Sequence, residues 1–420
     1  MPALFSLGQE PALQAVQAQL QPGEVIYVFL DDIYAVVQPE RVRAVYDLLA
    51  RHLEAHARIR LNQGKTRIWN RGGHAPPNIH TLGPDTWVGN RELPPEQQGI
   101  TVLGAPIGTD AYAQHFLQNT STSHRPLLEQ LPHLQDLQAA WLLLLYTASH
   151  RSNYLLRLLP PAQTATFAEQ HDLDISRCLT QLLQTDSLPV DTLARAHLPL
   201  AMGGLGLMSA SQPSTPAHWA SWADAMPVLQ RQLPSVAATI AQALNNLDEA
   251  QPWIQAAQTA HQHIHAHGWQ PPSWQQVLAQ QPPQTQAEAF TGPTQPGWQQ
   301  HASAPFHRTA RAGVYNSIDA ASQALLDSQT GPLPAGLSPQ FHIPQARRIL
   351  TTFFAFSCSA AFGFHYLLPN ELVGPVAILN HLATTERPGQ YKNSQPTTKI
   401  LGDHELMQQK GASKKTKLNW

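Results

Sequence analysis

IYVFLDDIYAVV, residues 26–37, sets two adjacent aspartates between two apolar runs in a chain whose charged residues make up only 13% of the total. The six residues VIYVFL (25–30) are apolar on both faces, as a buried central strand is. Asp31 and Asp32 follow, and the chain returns as IYAVV over a connection too short for anything but a hairpin with the aspartates at its tip. Adjacent aspartates are often plain turn formers, because each can hydrogen-bond its own backbone. Here a large hydrophobe flanks the pair on either side. Unpaired carboxylates in that setting repel one another and lose hydration unless a divalent cation neutralises them. Mg²⁺ takes hard oxygen ligands, usually one or two carboxylates plus substrate phosphates, and a tight hairpin offers them rigidly.

Working outward, Leu13, Val16 and Leu20 mark a helix over 9–20 that Pro22-Gly23 ends. After the hairpin, Pro39 suits a helix first turn, and Val42, Val45, Leu48, Leu49 and Leu53 form one face of a helix ending near Ala57. Strand-like RIRLN (58–62) leads to Gln63-Gly64-Lys65-Thr66 and RIWN, then a Gly/Pro-rich excursion carries TWVG before ITVLGAPIGT at 100–109. From about 111 to 200 the pattern is that of long helices. The clearest is one run over 131–160 that Pro160-Pro161 stops. LPLAMGGLGL (198–207) reads as a turn-rich hinge. A Trp-containing helical stretch comes next at 216–245, then a Pro/Gln/His/Trp-rich segment of weak pattern at 250–300. No solenoid repeat is visible.

The totals narrow the function classes. At 420 residues the chain has room for two or three domains, and its net charge of −2 gives no global field for a phosphate backbone, so any nucleic-acid contact must be local. Cys178 and Cys358 form neither a CxxC nor a disulfide framework, which points to a reducing, intracellular setting, nucleus or cytoplasm. The start of the chain lacks the basic residues of a secretory signal. Residues 349–368 are uncharged and long enough to span a bilayer, but Ser, Thr, Cys and His dilute them, so a membrane partner is not expected.

Phe29-Leu30-Asp31-Asp32 resembles the x-x-Asp-Asp hairpin of reverse transcriptases, and its neighbours come in that family's order. The helix 39–57 with LNQGKTRIWN resembles the next palm motif, with Lys65 in the place of its basic residue. ITVLGAPIGT resembles the subsequent "LG" hairpin, which grips the primer end. The helical block with LPLAMGGLGL resembles the region C-terminal to the palm in reverse transcriptases of non-LTR retrotransposons.

The resemblance implies an α+β fold. A partial polymerase palm of antiparallel sheet and helices (1–110) would precede a helical thumb-like region (111–210) and a helical, Pro/Gln/His-rich extension (211–330). A divergent, poorly ordered tail (331–420) would end the chain, of the kind a shifted reading frame or an unspliced segment produces. The implied reaction is RNA-directed DNA synthesis, with RNA template, DNA primer and deoxynucleoside triphosphate as partners and Mg²⁺ as cofactor. Asp31 would be a metal ligand with Asp32 supporting the metal site, Lys65 would sit by the leaving pyrophosphate, and Leu103 and Gly104 would shape the primer grip. MPALF resembles the continuation of the family's Gln-Gly-Asp-Pro-Leu motif, so the fingers and first catalytic aspartate are expected upstream of Met1. The expectation is no polymerisation by this chain alone; the rival is a noncatalytic nucleic-acid- or protein-binding remnant.

Other features have plainer readings. His261, His263, His265 and His267 could pair at i,i+4 on a helix as metal ligands, but no carboxylate stands near, so they read as solvated or half-buried. Gly203-Gly204-Leu205-Gly206 contains a GxG without the strand a dinucleotide site needs, so it reads as a bend. Lys414, Lys415 and Lys417 read as a solvated end, and Trp141, Trp219, Trp222 and Trp253 as core rather than base-stacking platforms.

Overall fold

The computed structural model of the protein describes residues 2–246, 251–279 and 297–330. The tail, with the apolar run 349–368, Cys358 and the terminal lysines, lies outside the described residues. The fold is α+β. Helix α1 (Pro2–Gln17) precedes the hairpin of β1 (Val25–Phe29) and β2 (Asp32–Val36); helix α2 (Val42–Ala57) precedes the hairpin of β3 (Gly99–Val102) and β4 (Ala105–Gly108). The helices α3 (Asp110–Gln130), α4 (Leu137–Leu143), α5 (Asn153–Leu158), α6 (Pro161–Leu182), α7 (Val190–Ala196) and α8 (Ser214–Gln232) come next. Then come α9 (Pro234–Asn245), α10 (Pro252–Ala266), α11 (Trp274–Ala279), α12 (Trp298–Ser317) and α13 (Ala320–Ser328). Among the described residues no helix is long and apolar enough to cross a membrane.

Alternation along β2 sets the first hairpin. Ile33, Ala35 and Val37 enter a core with Ala12 and Val16 of α1 and Val45, Leu49 and Leu53 of α2. Tyr34 and Val36 face the other way, onto Ile100, Val102 and Ile107 of the second hairpin. Successive strand side chains point to opposite faces, so a run apolar throughout is sandwiched between a helical layer and a second hairpin. β1 is nevertheless no buried central strand. Its residues are half-buried, Val28 is 37% exposed, and no third strand flanks the hairpin among the described residues. Two-sided apolarity reports what lies above and below a strand, and carries nothing about its edges.

Helix α2 ends at Ala57, and Arg58, at φ 56°, closes it: its backbone N–H donates to the Glu54 carbonyl and that of Ile59 to the Leu53 carbonyl. RIRLN then forms no strand. Its alternation arises because Ile59 and Leu61 plug the first core from the connecting chain. TWVG contributes a single parallel bridge, Trp87 beside Ile68.

The single helix expected over 131–160 is broken. A 3₁₀ turn (Leu131–His133) gives way to α4, whose start Asp136 caps by accepting from the backbone N–H groups of Gln138 and Ala139. α4 runs into a π-helical turn, Leu144–Ala148, before α5 begins. The apolar spacing persists across the break because each piece covers its neighbours, while the cap at Asp136 restarts the chain direction.

LPLAMGGLGL is a tight bend between α7 and α8, with Gly203 at φ 80° and Gly206 at φ 75°. Just after it, the Asp172 carboxylate of α6 accepts from Ser209 Oγ (2.8 Å), Ala210 N (2.6 Å) and Ser211 N (3.0 Å), tying the entry of α8 to α6. Asp172→Ala is expected to cost about 2 kcal/mol, since it strands donors that bonded a charged acceptor. Urea unfolding followed by tryptophan fluorescence measures this, and a loss under about 0.5 kcal/mol would put the bend's stability elsewhere.

The segment 250–300, weak in pattern, contains α10, α11 and the start of α12. Their core is aromatic. Trp219 is fully buried and meets Trp269 (5.3 Å between centroids) and Trp298 (5.8 Å) edge to face. Trp222 stacks on Trp253. His267 lies flat on Phe306 at 4.1 Å and edge to face with His263 at 4.5 Å, so these histidines serve as rings in packing. Among the described residues no group of three metal-ligating side chains occurs.

Candidate functional site

The register Phe29↔Asp32 leaves Leu30 and Asp31 as the two-residue turn of the first hairpin. Asp31 is therefore at the tip, whereas Asp32 is the first residue of β2 rather than a tip residue. Leu30 sits at φ 58°, a left-handed conformation that a two-residue hairpin demands and glycine usually supplies. Such a residue costs about 1–3 kcal/mol and persists only where its surroundings hold it. Gln9 of α1 does this: fully buried, it donates Nε2 to the Leu30 carbonyl at 2.6 Å.

The second hairpin repeats the device. Val102↔Ala105 encloses Leu103 (φ 48°) and Gly104 (φ 81°), both left-handed as a type I′ turn requires. The Tyr154 hydroxyl of α5 donates to the Leu103 carbonyl. A side chain at position 104 would meet the Tyr154 ring at 3.3 Å, so glycine lets that ring lie over the turn.

Tyr34 joins the hairpins. Its hydroxyl donates to Asp32 Oδ2 (3.1 Å) and accepts from the Leu103 backbone N–H (3.4 Å). Lys65 arrives on a 3₁₀ turn, Gln63–Lys65, pinned by buried Thr66, whose Oγ1 donates to the Asn62 carbonyl (3.0 Å). The Lys65 side chain is exposed and close enough for its charge to act on Asp32. The structure thus brings Asp31, Asp32, Lys65, Leu103 and Gly104 to one region.

Burial raises the Asp32 carboxyl above its ordinary range; the Tyr34 hydrogen bond opposes this, the Asp31 charge adds to it, and Lys65 opposes it. Burial and the neighbouring Asp32 charge likewise raise the Tyr34 phenol, so it stays protonated and keeps donating. Asp31 and Asp32 supply two hard-oxygen donors, a set that fits one magnesium ion completed by phosphate oxygens. No third Asp, Glu, His or Cys joins them among the described residues, so they do not fit a two-metal clamp. A cleft of about 360 Å³ is lined by Arg67, Val88, Gln97, Ile100, Thr101 and Tyr112. The carboxylates are not in its wall.

Sequence reasoning missed Gln9, Tyr34 and Tyr154. Gln9 falls on the same helical stripe as Leu13, Val16 and Leu20, and a polar residue on an apolar stripe was a usable signal. Tyr34 is two residues from Asp32 in a strand and so shares its face. Nothing local marks Tyr154. No family model, curated protein or solved structure matches this chain.

Proposed function

We propose that this chain carries the paired-aspartate and primer-grip portion of a reverse-transcriptase palm of retrotransposon origin, joined to a helical region that holds an RNA–DNA hybrid. One observation carries the reading: Tyr34 hydrogen-bonds both Asp32 and the Leu103 turn, while Lys65 acts on the same carboxylate. Two turns and one loop, separate in sequence, meet as the family's order implies.

Asp31 and Asp32 would hold a magnesium ion, which when bound neutralises charge developing on a transferring phosphoryl group. Lys65 serves as a cation or proton donor toward the leaving pyrophosphate. Leu103 and Gly104 offer backbone to a primer end. Between Ala55 and Pro84 the sequence holds no acidic residue and five cations, Arg58, Arg60, Lys65, Arg67 and Arg71, a local basic stretch in a near-neutral chain.

That no third carboxylate joins the pair among the described residues supports a second reading, in which the chain binds nucleic acid without turning over. Losing such an electrostatic stabiliser lowers rate by about 10²–10³-fold. Primer extension on poly(rA)·oligo(dT) with Mg²⁺ is therefore expected to equal that of Asp31→Asn. Extension abolished by that substitution would restore a catalytic role. RNA–DNA hybrid binding, measured by fluorescence anisotropy, is expected at about 50 mM salt and to weaken steeply as salt rises. Absence of binding at low salt defeats both readings.

A further inference from the structure

Leu103 is held from both sides. Its backbone N–H donates to Tyr34, 69 residues away, and its carbonyl accepts from Tyr154, 51 residues away. The tyrosines come from different parts of the fold: Tyr34 lies on β2, is only 4% exposed and packs onto the second hairpin, whereas Tyr154 belongs to α5 in the helical region. Between them lies one residue in a left-handed conformation, which an unconstrained leucine rarely adopts. The Tyr34 hydroxyl that accepts from Leu103 also donates to the carboxylate of Asp32.

Hydroxyls that served only to satisfy buried polarity would need neither the same residue nor a strained one. Two hydroxyls from distant segments converging on a left-handed residue over-determine its conformation, which is what its persistence requires.

We propose that Tyr34 and Tyr154 clamp the Leu103 backbone, and that this clamp positions Asp32 against the grip turn and couples both to helix α5. Tyr34 and Tyr154 are then positioning residues: neither reacts, and each acts through what it holds. Movement of α5 is transmitted through the Tyr154 hydroxyl to Leu103, and from Leu103 through Tyr34 to the carboxylate. The clamp rests on the proposed function insofar as Asp32 serves a metal.

The test uses the full chain with Tyr34→Phe and Tyr154→Phe, which keep the rings and remove only the hydroxyls. Two readouts are taken: hydrogen exchange at the Leu103 amide by mass spectrometry with fragmentation, and Mn²⁺ affinity by electron paramagnetic resonance. Both variants are expected to speed Leu103 exchange about tenfold. Tyr34→Phe is expected to weaken Mn²⁺ binding about tenfold, as loss of a partner to a metal ligand does. Tyr154→Phe, whose lost hydroxyl bonds the Leu103 carbonyl, is expected to weaken it about threefold, a smaller share of the same effect. Wild-type exchange at Leu103 in Tyr154→Phe overturns the clamp, whatever the metal does. Fast exchange with unchanged Mn²⁺ affinity in that variant overturns the coupling to Asp32. If the wild-type chain binds no Mn²⁺, the proposed function fails, and the clamp stands or falls on exchange alone.

Discussion

Gly204→Ala is expected to destabilise the helical region by more than about 3 kcal/mol, because the added methyl has nowhere to go. A Cβ built there lies 2.1 Å from the Leu198 carbonyl oxygen and 2.5 Å from the Leu198 carbonyl carbon and Cβ. These are backbone or near-backbone atoms, and they are fixed. The Leu198 carbonyl accepts from the Gly206 N–H at 2.9 Å, and its side chain, fully buried, packs with Val314 and Leu326. Relief of the clash therefore means opening the bend and undocking α13 together. Denaturant melts monitored by tryptophan fluorescence read this directly, given the buried tryptophans of the adjoining core. Gly313→Ala in α12 is the control: nothing lies within 4 Å of its Cβ, and replacing a helical glycine gains roughly 0.5–1 kcal/mol. Equal stability of Gly204→Ala and wild type would mean that the bend is not packed as described.

Acidification is expected to destabilise the helical region by about 3 kcal/mol through His218 alone, with His124 contributing similarly. Burial pushes His218 down to about 4 from its ordinary 6.5, against a weaker upward pull from the nearby Arg157 backbone. Burial also brings His124 to about 4, helped by the charges of Arg151 and His171. His150 is lowered by burial and by His171; His171 is lowered by burial and Arg151, and is partly restored by the Ser149 carbonyl, Asp172 and Asp174.

A folded-state value below the unfolded one means that the unfolded chain binds more protons between the two. Stability is thus full above about pH 6.5, falls as the pH drops below it, and levels near pH 4. Asp32 acts in the opposite sense, since its raised carboxyl is relieved of charge as the pH falls. Its partial exposure makes it the smaller effect. Urea midpoints measured from pH 7.5 to 4 should trace the histidine limb, and His218→Leu and His124→Leu should each flatten it. A profile with no slope in that window would show that these imidazoles protonate freely in the folded protein.

Much of the local architecture is legible in the sequence. The first hairpin and the α2 stop at Ala57 depend on residues within a few positions of one another, although the turn falls at Leu30-Asp31, one residue earlier than the aspartate pair suggests. Asp31 and Asp32 stand out as a carboxylate pair between apolar runs, whereas Lys65, Leu103 and Gly104 are marked only by the resemblance to palm motifs. The breaks in 131–160 are less legible, because apolar spacing continues through a cap that only Asp136 signals.

Tertiary structure alone decided how those pieces meet. Leu30 and Leu103 hold left-handed conformations because Gln9 of α1 and Tyr154 of α5 seize their carbonyls, and Tyr34 ties one carboxylate to a turn far along the chain. The aromatic core of 250–300 is likewise an assembly of single rings from several helices. Periodicity tells a chain which face of an element turns inward, because that preference is set by neighbours within a turn or two. Which distant group arrives to satisfy a buried hydroxyl or a strained carbonyl depends on closing loops of dozens of residues, and no local pattern records that choice.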